Sequence, residues 1–194
     1  SLGQCCGGHT QLLFEKFPGA RMNIMLFGAG HVGTALAPVL SQLPSRLWWV
    51  DNRDAYLSHT SEYANTRHVT SDDPVAEVAN MPAHSDYLIM THNHQLDYDI
   101  LQAVLERGDA RYVGLIGSQT KWRRFQLRMQ HRGQSPAFYE QVSCPVGMSA
   151  IPGKLPIEIA VSIAAELIAL NHNDDAQRSV ERGVMTAKSE VEPA

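Results

Sequence analysis

At 194 residues the chain is long enough for one α/β domain with a short appendage. Apolar residues make up 44% and charged residues 19%, which allows a sizeable core and excludes general disorder. The net charge of −4, with no Lys/Arg stripe, argues against nucleic acid and anionic membrane surfaces as partners.

The chain opens "SLGQCCGG", without a Met, and reads as a fragment or processed product with something upstream. Residues 9–17 alternate loosely and could form an edge strand. Pro18-Gly19 then turns the chain. Residues 22–28 (MNIMLFG) read as a buried strand and residues 31–43 as a helix, with Pro38 expected to kink or shorten it. Residues 46–51 (RLWWVD) are a second strand, whose adjacent Trp48 and Trp49 point to opposite faces as core residues. Residues 52–64 suggest loop or a short helix, 66–70 a weak third strand, and 74–80 a short helix.

Residues 86–91 (DYLIMT) are a buried strand. Residues 94–108 are a helix with Asp97 and Asp99 in its first turn and Gly108 as its stop. Residues 111–117 are another strand, and 118–133 a helix ended by Gly133. Residues 134–153 look like a long loop. The last helix, 155–170, has Pro156 near its first position. Its Glu158, Ser162 and Glu166 fall at i, i+4 and i+8. That leaves one narrow polar stripe, so most of the helix should be covered by sheet or by a partner. The tail beyond Asn171 is polar and expected to fray. Strands that alternate with helices imply an α/β fold with a mostly parallel sheet covered by helices on both faces.

The longest apolar stretch, residues 159–170, is too short to span a bilayer and contains Glu166. No basic, apolar, small-residue leader suggests a secretory signal. Cys5, Cys6 and Cys144 are odd in number, and the first two are adjacent, which is not a secreted disulfide framework. A reducing cytoplasm is the expected compartment.

The stretch "GAGHVG" at residues 28–33 carries the first chemistry. Gly28 permits a tight turn after the strand. Gly30 lets backbone approach a phosphate, with His31 beside it, and Gly33 lets helix and sheet pack closely. The helix N-terminus then offers free N–H groups and a positive dipole end to an anion. Asp51 follows at the end of the next strand, where it could accept hydrogen bonds from ribose hydroxyls. Arg53 could instead face a 2′-phosphate or lie on the solvated surface.

Two further stretches sit at strand ends. In "MTHNHQLD" (90–97), His92, His94 and Asp97 could be metal ligands. The favoured alternative is that Asn93 or His94 caps the helix while the other histidine lines a pocket. In "GSQTKWRRF" (117–125), Ser118 can cap the helix, and Thr120, Lys121 and Arg124 crowd its first turns, which suggests a second anion site. "SQTK" also matches an acyl-transfer pattern, but its partner motifs S-D-N and K-T-G are absent. No catalytic acid/base pair accompanies the glycines, and little chain remains for a substrate domain.

Several of these stretches, taken together, resemble the XdhC/CoxI family, accessory proteins of xanthine dehydrogenase and related molybdenum hydroxylases. They are "SLGQCCGG" with "LLFE", "LFGAGHVGTAL", "MTHNHQLD", "YVGLIGSQTKWRRF" and "CPVGMSAIPGKLPIEIAVSIAAEL", in that order up to about residue 171. The resemblance implies a Rossmann-like three-layer domain at 21–171, preceded by a junction at 1–20 from an upstream domain and followed by a polar tail at 172–194. It implies a carrier rather than a catalyst. The carrier would bind molybdenum cofactor, protect its sulfurated form and insert it into the hydroxylase, with a cysteine desulfurase of NifS type as the sulfur source.

On this reading Cys5 and Cys6 are soft thiolate ligands for molybdenum, exposed among glycines. Gly28, Gly30, His31, Gly33, Asp51, His92, Ser118 and Lys121 complete the expected cofactor site. Cys144 could be a ligand or a small buried hydrophobe. The competing expectations are an NAD(P)-dependent oxidoreductase and a nucleotide-sensing regulatory module. The apolar last helix makes a homodimer an expectation as well.

Overall fold

Six strands form one all-parallel sheet in the order β3-β2-β1-β4-β5-β6 in a computed structural model that describes residues 20–57 and 63–189. The strands are β1 (Met22–Phe27), β2 (Ser45–Asp51), β3 (Thr66–Thr70), β4 (Asp86–Ile89), β5 (Tyr112–Leu115) and β6 (Val142–Ser143). The helices are α1 (His31–Leu40), α2 (Asp54–Leu57), α3 (His94–Arg107), α4 (Gln119–His131) and α5 (Pro156–Ser189). The chain builds outward from β1 to β3, then returns to add β4 on the other side of β1. The crevice between β1 and β4 is therefore the topological switch point, where such sheets bind ligands.

Strand alternation divides the core into two layers. Ile24 and Leu26 point to one face, where they meet Leu36 and Leu40 of α1 and Ile163 and Leu167 of α5. Met25 and Phe27 point to the other and meet Tyr98 and Leu101 of α3 with Phe125 and Met129 of α4. The adjacent tryptophans divide in the same way, with Trp49 in the first layer and Trp48 against the second. Every one of these β1 residues is fully buried, so the alternation marks two helix layers rather than a wet and a dry face.

Local rules set most boundaries. Asn93 caps α3 by accepting from the N–H groups of Gln95 and Leu96, and Gly108 ends it in the left-handed region at φ 73°. Ser118 caps α4 by accepting from the Lys121 N–H. Helix α1 stops at Leu40, two residues beyond Pro38, earlier than its apolar pattern suggests. Residues 76–80 form a 3₁₀ turn rather than an α-helix.

Three expectations need correction. The stretch 134–153 is not all loop: it contains β6 and a 3₁₀ turn over Pro136–Phe138. Helix α5 does not end near Asn171 but continues to Ser189. The polar stripe of α5 also has a different role. Glu166 accepts from the Tyr112 hydroxyl (2.7 Å), the Gly147 N–H (2.7 Å) and the Ser143 hydroxyl (3.0 Å). Ser162 donates to the Met148 carbonyl (3.1 Å), and Glu158 accepts from the Lys154 and Leu155 N–H groups as a capping residue. Ser162 and Glu166 thus face the protein, while Glu158 stays exposed with Ile157, Val161 and Ile168. A polar side chain can turn inward when its hydrogen bonds are met there.

The edge strand expected at 9–17, the Pro18-Gly19 turn, and Cys5 and Cys6 in the expected junction lie outside the described residues. Among the described residues no helix is long and apolar enough to cross a membrane.

Candidate functional site

The three fingerprint glycines have different physical reasons to be glycine. Gly28 has φ 110°, and a Cβ there would lie 2.3 Å from the Met90 carbonyl oxygen. The turn after β1 can pass that close to the end of β4 only without a side chain. A Cβ on Gly33 would lie 2.1 Å from the Gly28 carbonyl oxygen, so this position lets α1 seat against the turn. Trp49 fixes the same carbonyl from below, with its indole N–H donating to it at 3.1 Å. At Gly30 a Cβ would meet nothing within 4 Å. Its backbone is extended, a conformation open to any residue. Nothing inside the protein requires glycine there; the space it leaves opens outward.

That space is a cavity of about 690 Å³ at the switch point. Gly30, His31 and Gly33 line it from α1, Thr91 and His92 from the end of β4, and Arg53 from the end of β2. Helix α1 begins at the cavity with Gly30 as its cap residue and no side-chain cap bond. Its first-turn N–H groups therefore lack the cap that Asn93 and Ser118 supply to α3 and α4. Uncapped N–H groups at a positive dipole end, facing an open cavity, have the chemistry that an anion cradle needs.

Asp51 stands behind this cradle rather than in it. It is 5% exposed, and both oxygens are engaged. Oδ2 accepts from the Ala29 N–H (2.7 Å) and the Arg53 guanidinium (2.8 Å), while Oδ1 accepts from the Arg53 N–H (2.9 Å) and Nε (2.8 Å). Burial pushes its pKa up, but Arg53 and the two backbone N–H groups outweigh that and hold it below the usual carboxylate range. In this arrangement Arg53 covers the Asp51 carboxylate.

Ser118 and Lys121 lie apart from the cradle, in a recess of about 310 Å³ between the starts of α3 and α4. The Lys121 ammonium is turned inward: it donates to Asp97 Oδ2 at 2.6 Å and to the Ile116 carbonyl at 2.7 Å. Asp97, considered above as a metal ligand, is fully buried and also accepts from the Thr91 N–H and hydroxyl. Lys121 and Asp97 therefore brace the ends of β4 and β5 from behind. His92 faces the cradle and His94 the recess. Among the described residues no group of three or more His, Cys, Asp or Glu is placed to hold a metal ion. Cys144 is half-buried, and burial raises its pKa to about 11, which leaves it a neutral thiol.

Sequence reasoning assigned no role to Thr91, to Ile116, or to the loop 145–153, although that loop belongs to one of the stretches that carry the resemblance. Ile116 lines both the cradle and a second cavity under this loop. The available signal was the loop's density of Gly and Pro next to an apolar helix start.

The comparisons with known proteins agree with this architecture. A chain of Bacillus halodurans, described as a xanthine dehydrogenase, superposes with a TM-score of 0.64 and 29% identity over 78% of this chain and 43% of that one. The uncharacterized protein YqeB of Escherichia coli K12 is 25% identical over 173 residues, 89% of this chain and 31% of that protein. The chain thus spans less than half the length of either relative. The profile of the XdhC Rossmann domain matches residues 24–167, from β1 into α5 and across the whole cradle, and the chain belongs to that family.

Proposed function

We propose that this chain is the cofactor-holding part of an accessory protein for a molybdenum hydroxylase of the xanthine dehydrogenase type. Its cradle would hold the phosphate end of molybdenum cofactor, and the intact protein would protect the sulfurated form and pass it to the apo-hydroxylase. The observation that carries this reading is Gly30: its missing side chain serves no contact within the protein and opens onto an uncapped helix N-terminus.

The residues present fit the phosphate end of such a group. First-turn N–H groups of α1 would donate to phosphate oxygens, and the imidazoles of His31 and His92 line the same cavity as further donors. The bound molybdenum would supply redox and oxygen-transfer chemistry in the hydroxylase; residues here bind, orient and release. The metal end needs soft donors. Cys144 as a neutral thiol is a poor one, so the proposed ligands are the thiolates of Cys5 and Cys6. Sulfur would come from a NifS-type desulfurase, and the whole exchange would take place in the cytoplasm. An NAD(P)-dependent oxidoreductase is the second reading, supported by the glycine fingerprint. The engagement of Asp51 by Arg53 weighs against it, because the ribose-reading carboxylate is covered.

Native mass spectrometry of full-length protein, purified gently from cells that make the hydroxylase, tests the proposal. A bound molybdopterin mass that disappears on mixing with apo-hydroxylase, with gain of hydroxylase activity, is the expected result. Bound NAD(P) in its place would overturn it.

A further inference from the structure

Beside the cradle lies a second cavity of about 450 Å³, within the range of small-molecule sites. Its floor is Ile116 and Gly117 at the end of β5. Its roof is the loop 145–153, and its end wall is Ile159 and Ser162 in the first turns of α5. Ile116 lines both cavities, so the two are neighbours at the C-terminal edge of the sheet.

The two cavities differ in chemistry. The cradle is bordered by Arg53, His31 and His92 and by uncapped N–H groups. Among the described residues that line the second cavity, none is charged. Ile116, Val146, Ile151 and Ile159 give it apolar faces, and Gly117, Gly147 and Gly153 add backbone to its lining, with the Gly147 N–H already donated to Glu166. An uncharged slot with apolar faces and backbone in its lining suits a flat, uncharged heterocycle with an amide at its edge. The faces cover the ring, and the peptide groups meet its edge.

The slot is also built firmly. Glu166 holds the Gly147 N–H at 2.7 Å, Ser162 holds the Met148 carbonyl at 3.1 Å, and the Val146 N–H donates to the Leu115 carbonyl at 3.1 Å. Ser162 and Glu166 of α5 thus fix the loop over the slot. On the opposite side of the cradle, Arg53 closes the ribose position over Asp51. Of the two directions a ligand anchored at Gly30 could take, the one toward Asp51 is covered by Arg53, and the one toward Ile116 leads to the neighbouring cavity.

The geometry points to the uncharged cavity under loop 145–153 as the site for the heterocyclic end of a phosphate-ended ligand anchored at Gly30. This rests on the phosphate cradle proposed above. The shared chemistry is a flat, uncharged heterocycle with an amide at its edge, joined to one phosphate; a pterin and a reduced nicotinamide both have it.

The test uses the full-length chain and three probes: inorganic pyrophosphate for the cradle alone, an oxidised phosphopterin, and reduced nicotinamide mononucleotide. Ile151→Glu introduces a charge into the slot, and Ser149→Trp, at an exposed position, fills its mouth should the first variant fold poorly. Affinities are read by calorimetry and ring fluorescence. Wild type should bind pyrophosphate and at least one ring-bearing probe, and whichever ring binds tighter names the class. Either variant should weaken that probe at least tenfold and leave pyrophosphate within twofold. Wild-type-like binding of the ring-bearing probe by a folded variant overturns the slot. Pyrophosphate binding without binding of either ring overturns it too and leaves the cradle standing. Failure of wild type to bind pyrophosphate removes the cradle and the slot together.

Discussion

Lys121 Nζ lies 2.6 Å from Asp97 Oδ2, with the carboxylate fully buried and the ammonium nearly so. The pair joins α4 to α3 directly behind the switch point. The remaining polar atoms are satisfied by the Ile116 carbonyl on one side and Thr91 on the other. Gly117 makes this possible: its φ is 158°, and a Cβ there would sit 2.6 Å from Lys121 Cδ. Removing one partner strands a buried charge. Lys121→Met should therefore cost about 3–5 kcal/mol in urea unfolding. A cost below about 1 kcal/mol would mean that the pair is solvated and does not brace the site.

The glycines of the fingerprint should separate by substitution. Gly28→Ala and Gly33→Ala each place a methyl group against a carbonyl oxygen and should cost about 2–4 kcal/mol. Gly30→Ala meets nothing and should stay within about 1 kcal/mol of wild type, the scale of a cap change. Thermal melts of the three variants would show whether the ranking holds.

Most of the sheet and its helices were legible because their signals are local. Apolar runs bounded by Gly28, Gly108 and Gly117 mark strands and helices, and Asn93 and Ser118 announce helix starts. Strand β6 was not legible: two residues cannot show a period. The inward part of the α5 stripe was misread because Glu166 looks like a surface residue until Tyr112, Ser143 and Gly147, all distant in sequence, converge on it. The site was legible where it depends on backbone, at Gly28, Gly30 and Gly33. It was hidden where it depends on side-chain pairing. Whether Asp51 reads a ribose depends on where Arg53 folds, and whether Lys121 meets an anion depends on Asp97, 24 residues away.

The Asp51–Arg53 pair should control selectivity. Arg53→Ala uncovers Asp51 and should raise affinity for NADH at least several-fold over wild type; an unchanged affinity would mean that the ribose position is not what Arg53 covers. The pair also has a pH signature. The folded-state pKa of Asp51 is depressed, so its contribution to stability is in place above about pH 4 and is lost as pH falls through the lower folded value. The stability gap between wild type and Asp51→Asn should be full at neutral pH and shrink in acid. A gap that stays constant to pH 2 would contradict this.

The cysteines should differ in reactivity. With its pKa raised to about 11, Cys144 should resist alkylation at pH 8 and react fast only in denaturant or strong base. Peptide mass spectrometry after a timed iodoacetamide pulse reads this site directly. Cys5→Ser with Cys6→Ser should melt near wild type yet lose bound molybdenum, measured by elemental analysis of the full-length protein. Retention of the metal would remove these thiolates as ligands.

The central claim is that the cradle at Gly30 holds a phosphate-ended cofactor. Calorimetry of wild type and Gly30→Val with an oxidised phosphopterin addresses it most directly. The valine should fold normally, since the position is extended and open, yet its side chain fills the space where the phosphate would approach the α1 N–H groups. At least a tenfold loss of affinity, with circular dichroism and melting close to wild type, is the expected result. Equal affinity of the two proteins would contradict it.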